Sequence, residues 1–296
     1  MESIDVNQLF HGVAQNLNRD LSVELKGDCI FISSAMTPPL DDAFRVSIEA
    51  MQNPKAPQDH LIVMLETNGG YIETVQRIVS VIRKHYKKVS FIVPSHACSA
   101  GTVLVLSGDD IYMDYYSVLG PIDPQFGDED GRSLLPGAGY LAKFEELKRI
   151  VNADSKNEKK AELAYLIKKF DPAKLFHIEQ AIEHGQSLIE DWLPKFKFKN
   201  WKKTETSGKR VTPTMRKERA KKIAETLGNA EKWHSHGRGI TMKELSEDEI
   251  NLLIEDFGSN AKLTNIIRNY HGLCVDFAAK NGLRNFIHTP QQLRRV

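Results

Sequence analysis

Leu61-Ile62-Val63-Met64-Leu65-Glu66-Thr67-Asn68-Gly69-Gly70 decides the fold. The run LIVML has no polar position. A strand there must be covered on both faces, as in a parallel sheet flanked by helices. Thr67-Asn68-Gly69-Gly70 reads as a tight turn, and residues 72–85 carry the apolar spacing of an amphipathic helix. Buried strand, glycine turn and helix together form the building unit of α/β proteins.

The unit recurs on both sides. Upstream, 29–33 (CIFIS) is a β-rich run after the turn Lys26-Gly27-Asp28. Residues 41–51 follow with Ala43, Val46, Ala50 and Met51 near helical spacing, Asp41 or Asp42 as a cap, and the prolines of 53–57 as a stop. Downstream, 89–93 (VSFIV) repeats the buried strand, and 94–101 (PSHACSAG) runs into small residues with helix character. Residues 111–113 and 116–119 read as short strands. Beyond 127 the character changes. Residues 128–139 are rich in Gly, Pro and charge and read as an exposed loop. Residues 140–151, 158–170, 172–192, 216–227 and 241–257 read as helices, with Ser246 and Glu249 matching a capping box. The tail after Gly258 has no decisive pattern. The expected organisation is an α/β core over 1–127 and a mainly helical extension over 128–296 that completes a cleft.

Composition narrows the function. The chain of 296 residues is 41% hydrophobic and 27% charged, a globular balance that excludes wholesale disorder and collagen-like or disulfide-scaffold classes. Lys and Arg number 40 against 39 Asp and Glu, so the net charge of +1 points to neither nucleic acid nor membrane. Cys29, Cys98 and Cys274 are scattered without a CxxC, which argues against a disulfide framework or structural zinc and for a reducing interior. Residues 1–20 lack the apolar core of a secretory signal, and no run approaches the roughly 18 apolar residues of a membrane span. The expectation is a soluble cytoplasmic protein.

Chemistry concentrates in two turns. Each follows a buried strand and opens a helix, where backbone N–H groups lack intrahelical partners and suit an anion. At Asn68-Gly69-Gly70 the missing side chains let a ligand approach the backbone. At Ala97-Cys98-Ser99-Ala100-Gly101, a relaxed form of G-x-S-x-G, small neighbours leave the Ser99 hydroxyl accessible. A hydroxyl facing preorganised N–H donors is what acyl transfer needs. Taken singly, either turn equally suits close packing in an α/β protein.

Thr-Asn-Gly-Gly at 67–70, Ser-Ala-Gly-Thr at 99–102 and Leu-Gly-Pro-Ile-Asp-Pro-Gln at 119–125 resemble the serine dehydrogenase proteinase family. That family is related to signal peptide peptidase A and the Clp protease proteolytic subunit within the crotonase-like superfamily. The likeness is strong over residues 20–127 and looser beyond, where Lys232-Trp233-His234-Ser235-His236 and Ile240-Thr241 are similar to a segment near the family's C-terminus. The resemblance implies a crotonase/Clp-like spiral of ββα units. It implies a serine peptidase with Ser99 as nucleophile and an oxyanion hole from Gly69 or Gly70 and Ala100. The Clp subunit uses a histidine base, but Leu119-Gly120-Pro121 offers none. Peptidase A and its archaeal relatives use lysine, and Lys143 is the expected base, with Lys148 as fallback. Asn68, Tyr71, His96, Gly120 and Pro121 are expected to line the substrate cleft, with peptide backbone added as a strand near Gly70-Tyr71. The relatives form closed oligomers, so a homo-oligomer acting on peptide or protein is expected. Nothing suggests a nicotinamide or pyridoxal phosphate site, and no cofactor is expected.

Other features have plainer readings. His96 is placed to line the cleft more than to act as base, and Cys98 reads as packing. His234-x-His236 lacks further ligands at metal-binding spacing. Asp109, Asp110 and Asp123 read as turn residues. Segment 195–222 holds twelve Lys and Arg against Glu205 and Glu218, with Phe196, Phe198 and Trp201 interleaved. It reads as a solvated arm or interface, with an acidic peptide, nucleic acid or an anionic surface as possible partners. Two readings compete with the peptidase: an acyl-CoA enzyme on the same fold, and a non-catalytic binding protein using the basic segment.

Overall fold

The computed structural model describes residues 6–127, 134–153, 160–204, 207–247 and 249–296. Helix α1 (Val6–Leu25) leads into β1 (Asp28–Ser33), α2 (Leu40–Met51), β2 (His60–Glu66), α3 (Ile72–His85) and β3 (Lys88–Ile92). Then come β4 (His96–Ala97), α4 (Ala100–Leu106), β5 (Asp110–Met113) and β6 (Val118–Leu119). Hairpin strands β7 (Gln125–Gly127) and β8 (Leu134–Pro136) precede α5 (Gly137–Ala153), α6 (Lys160–Ile167), α7 (Pro172–Lys195), α8 (Pro213–Leu227) and α9 (Ala230–Trp233). After these come β9 (Ile240–Thr241), α10 (Met242–Ser246), β10 (Glu255–Asp256), α11 (Ala261–Lys280), β11 (Phe286–His288) and β12 (Leu293–Arg295).

The large sheet runs β10-β5-β3-β2-β1-β11-β12. Its strands from β10 to β1 are parallel, and β11 and β12 are antiparallel additions at one edge. The LIVML run sits in its middle, and its alternation explains why every position is apolar. Leu61, Val63 and Leu65 face the core built with α2, α3 and α4, whereas Ile62 and Met64 face α1 and α11. Phe44, Ile48, Val75 and Ile78 cover the first face. Phe10, Leu21, Ile267 and Tyr270 cover the second, where the rings of Phe10 and Phe277 stack at 3.6 Å. Each fully buried side chain of this size contributes about 1.5–3 kcal/mol of transfer free energy.

A second sheet positions the site. It runs β4-β6-β9, with β4 and β6 parallel and β9 antiparallel to β6. The pairs β3-β4 and β5-β6 each send one strand to the large sheet and the next to the small one. This alternation is a ββα step of the kind the sequence resemblance implies, and the mixed α/β architecture is as expected.

Several sequence expectations need correction. The buried face of α2 is Leu40, Phe44, Ser47, Ile48 and Met51, while Ala43, Val46 and Ala50 are half-buried or exposed. The sequence reading started one residue off the true stripe. Of 241–257, expected to hold one or two helices, the α-helical part is the five residues of α10, and its capping box is Thr241 with Glu244, not Ser246 with Glu249. The tail holds a long helix and two strands. The mainly helical part beyond 127 also lends strands to both sheets, with β10, β11 and β12 pairing into the large sheet and β9 into the small one.

Candidate active site

The two turns meet. Thr67 and Ala97 form a parallel bridge, with the Thr67 N–H donating to the His96 carbonyl at 3.0 Å and the Cys98 N–H donating to the Thr67 carbonyl at 3.0 Å. One strand end therefore delivers Asn68-Gly69-Gly70 and the other Cys98-Ser99-Ala100 to the same place. Packing there is close: a Cβ on Gly69 would lie 2.7 Å from the Ser99 Cβ and 2.7 Å from the Cys98 carbonyl. Gly101 faces Thr67 in the same way, with a virtual Cβ 2.3 Å from its Cγ2.

Ser99 caps α4 with φ 53° and ψ −122°, a conformation that costs a non-glycine residue of order 1–3 kcal/mol. The turn throws its side chain out of the strand line, and the half-buried hydroxyl makes no hydrogen bond among the described residues. Two nearby amides are also unengaged. The Gly69 N–H donates to Thr67 Oγ1 at 3.0 Å and is spent. The N–H groups of Gly70 and Ala100 find no acceptor among the described residues. Gly70 is held from outside, since the Met36 N–H donates to the Gly69 carbonyl at 2.8 Å and the Tyr71 N–H to the Met36 carbonyl at 2.7 Å. A strained serine beside two free, fixed N–H donors is an arrangement for attacking a carbonyl and holding its oxyanion.

The sequence signature of ClpP-like SDH-type serine proteinases matches residues 29–150, which include every residue of both turns. Over this stretch the chain is similar to the ClpP-like SDH-type serine proteinases. Two uncharacterised proteins of Methanocaldococcus jannaschii are similar to the chain, at 35% identity over 92 residues and 37% over 81. Those stretches cover 31% and 27% of this chain, and 31% and 28% of the relatives' own lengths. Among solved structures the chain is similar to the 1510-N membrane-bound stomatin-specific protease. A serine-to-alanine mutant of it shares 16% identity with a TM-score of 0.43, covering 76% of each chain. A lysine-to-alanine mutant with a substrate peptide shares 18% identity with a TM-score of 0.42, covering 76% of this chain and 72% of that one. Among the described residues, no helix is long and apolar enough to cross a membrane.

Around the two turns the remaining residues fall into place unevenly. Thr102 ties α4 to the Leu119–Gln125 run: its Oγ1 lies 2.8 Å from the carbonyls of Ala97 and Gly120 and accepts the Gly120 N–H at 3.0 Å. Gly120 packs on Cys98, with a virtual Cβ 2.9 Å from the Cys98 Cβ. Pro121 is buried, whereas Asn68 and Tyr71 are exposed. The half-buried His96 ring lies 3.0 Å through Nδ1 from Ser95 Oγ. Burial pushes the Cys98 thiol pKa up, which fits packing more than reactivity.

Lys143 is not brought to Ser99. It lies on α5 with its side chain 61% exposed and its Nζ 2.9 Å from Glu146. Lys148 pairs with Glu145 at 2.6 Å. The start of α5 is nonetheless anchored at the cleft, where the Gly137 N–H donates to the Pro124 carbonyl at 2.7 Å.

Two aspartates first read as turn residues have other work. Asp123 is 2% exposed and lies 2.9 Å through Oδ1 from His236 Nδ1. Asp109 accepts from Arg83 at 2.9 Å, from the Val89 N–H at 2.8 Å and from Lys199. Lys199 belongs to the basic segment, which is thereby held on the core. Phe196 lies under the Arg83 guanidinium at 3.5 Å and Phe198 is buried, so these two rings serve the fold. No group of three or more potential metal ligands occurs among the described residues.

Proposed function

We propose that this chain is a serine peptidase that hydrolyses peptide bonds through an acyl-enzyme on Ser99. The carrying observation is the pair of unengaged N–H groups, Gly70 and Ala100, fixed beside a serine held at positive φ. Ser99 Oγ attacks the peptide carbonyl, and the two amides hold the oxyanion that forms. Gly69 serves as the spacer that lets the two turns touch, since its own N–H is taken by Thr67. Lys143 is the proton acceptor in this reading. It reaches Ser99 when α5, anchored at Pro124, brings the amine from Glu146 into the cleft. Substrate backbone lies along Gly70-Tyr71, with Asn68, His96, Gly120 and Pro121 around it. The working form is a homo-oligomer, checked by light scattering on the eluting protein.

A fluorophosphonate probe tests the reading. It is expected to label Ser99, with labelling lost in Ser99→Ala and reduced at least about a hundredfold in Lys143→Ala. Labelling on another residue, or none in the wild-type chain, rejects it.

A further inference from the structure

The buried pair Asp123–His236 joins residues 113 apart in sequence, and the acylation step above does not use it. The small sheet fixes where the pair lies. Ala97, Leu119 and Ile240 are in register across β4, β6 and β9. Ser99 follows Ala97, and Asp123 follows Leu119 in the same direction. Because β9 is antiparallel, His236 lies before Ile240 at that same end. The contact of Gly120 with Cys98 and the Thr102 bonds bind the Asp123 run to the nucleophile turn.

The chemistry of the pair is that of an oriented base. His236 Nδ1 faces a carboxylate, so it carries the proton of the neutral ring and leaves the Nε2 lone pair free. Nε2 makes no hydrogen bond among the described residues, and the side chain keeps 11% of its surface exposed. The second oxygen of Asp123, Oδ2, is buried and has no donor among the described residues.

We propose that His236, oriented by Asp123, is a second proton-handling residue of the Ser99 site and acts in deacylation. The proposal rests on the peptidase reading and deepens it. After acylation, Lys143 has passed the serine proton to the leaving amine, and a water must be activated in the space that amine vacates. His236 Nε2 takes a proton from that water as its oxygen bonds to the acyl carbon. The bond between that carbon and Ser99 Oγ then breaks, and Nε2–H returns the proton to Oγ. The sum is water plus acyl-serine giving serine plus free acid. Asp123 is the positioning residue, fixing the ring and its tautomer.

Burst kinetics with p-nitrophenyl acetate separate this role from a structural one. His236→Gln and Asp123→Asn are expected to label with fluorophosphonate at close to the wild-type rate and to release a stoichiometric burst of nitrophenolate. Their steady-state turnover is expected to fall about 10²–10⁴-fold, with acetyl-Ser99 accumulating by intact mass. Added imidazole is expected to speed turnover of His236→Gln but not of Asp123→Asn. Asp123→Asn keeps size and a hydrogen bond, and so reports even where His236→Gln fails to fold. Unchanged turnover in both variants overturns the proposal. So does a parallel loss of labelling, burst and turnover, which marks an acylation or purely structural role. A wild-type chain that neither labels at Ser99 nor bursts rejects the peptidase reading, and the proposal with it.

Discussion

A methyl group added at Gly69 has no room, since φ is +99° and the new carbon would lie 2.7 Å from the Ser99 Cβ and the Cys98 carbonyl. Gly69→Ala is therefore expected to lower the fluorophosphonate labelling rate at Ser99 by about a hundredfold or more, because misplacing oxyanion donors costs that much. Labelling at the wild-type rate would show that the two turns need not touch. At this scale the sequence was informative where small residues themselves carry the chemistry. Glycines after a buried strand and a serine among small residues point to the same kind of site from either turn. The choice between Gly69 and Gly70 as donor was not legible, because it depends on the Thr67 hydroxyl taking one amide. Asp123 and His236 were both noticed as residues but not as a pair. Nothing in linear spacing announces a contact across 113 positions.

At the scale of elements, the basic segment turns out to be fastened on its inner side. The buried Asp109 carboxylate collects Arg83 from α3, the Val89 N–H from β3 and Lys199 from the chain after α7. These bonds, with the Arg83 and Lys199 charges, hold its pKa below the usual carboxylate range although burial pushes it up. Asp109→Asn leaves the half-buried Arg83 without its counter-charge and is expected to cost about 3 kcal/mol in chemical denaturation. A change under half a kilocalorie would mean that the segment is held by its apolar contacts alone. The charge run was plain in the sequence, but its internal partner was not, since an aspartate pair between a helix and a strand looks like a turn. Capping boxes show the same limit. Both Ser246-Glu249 and Thr241-Glu244 fit the pattern, and the second forms because β9 pairing with Val118 brings Thr241 to the helix start. The α2 register slipped because Phe44 and Ile48 define a stripe that the alanines flank.

For the molecule as a whole, acid sensitivity should centre on the face covered by α1 and α11. His288 on β11 is fully buried, its Nδ1 2.5 Å from the Tyr270 hydroxyl, which in turn accepts from Asn18 at 2.9 Å. Burial, with a smaller push from His11, lowers its pKa from 6.5 to about 4. The unfolded chain takes up this proton near pH 6.5 while the native chain does not. The stability that the neutral ring supplies is thus complete above pH 6.5 and is lost as pH falls through the window to about 4. The loss is about 3 kcal/mol at roughly 1.4 kcal/mol per unit. Urea denaturation at several pH values should show this slope, and His288→Leu should flatten it; an equal slope in the variant would place the titration elsewhere. The strands β11 and β12 that carry this face were illegible in the sequence, because three-residue strands leave no alternation to read. The helix α1 was missed because it buries only Phe10, Ala14, Asn18 and Leu21 along its length. The strand order has one more consequence. Ser99 leaves the ribosome well before β9, β11 and β12 exist to brace the sheets around it. A chain cut short before β9 would keep Ser99 but lack the outer strand of the small sheet from which its turn departs.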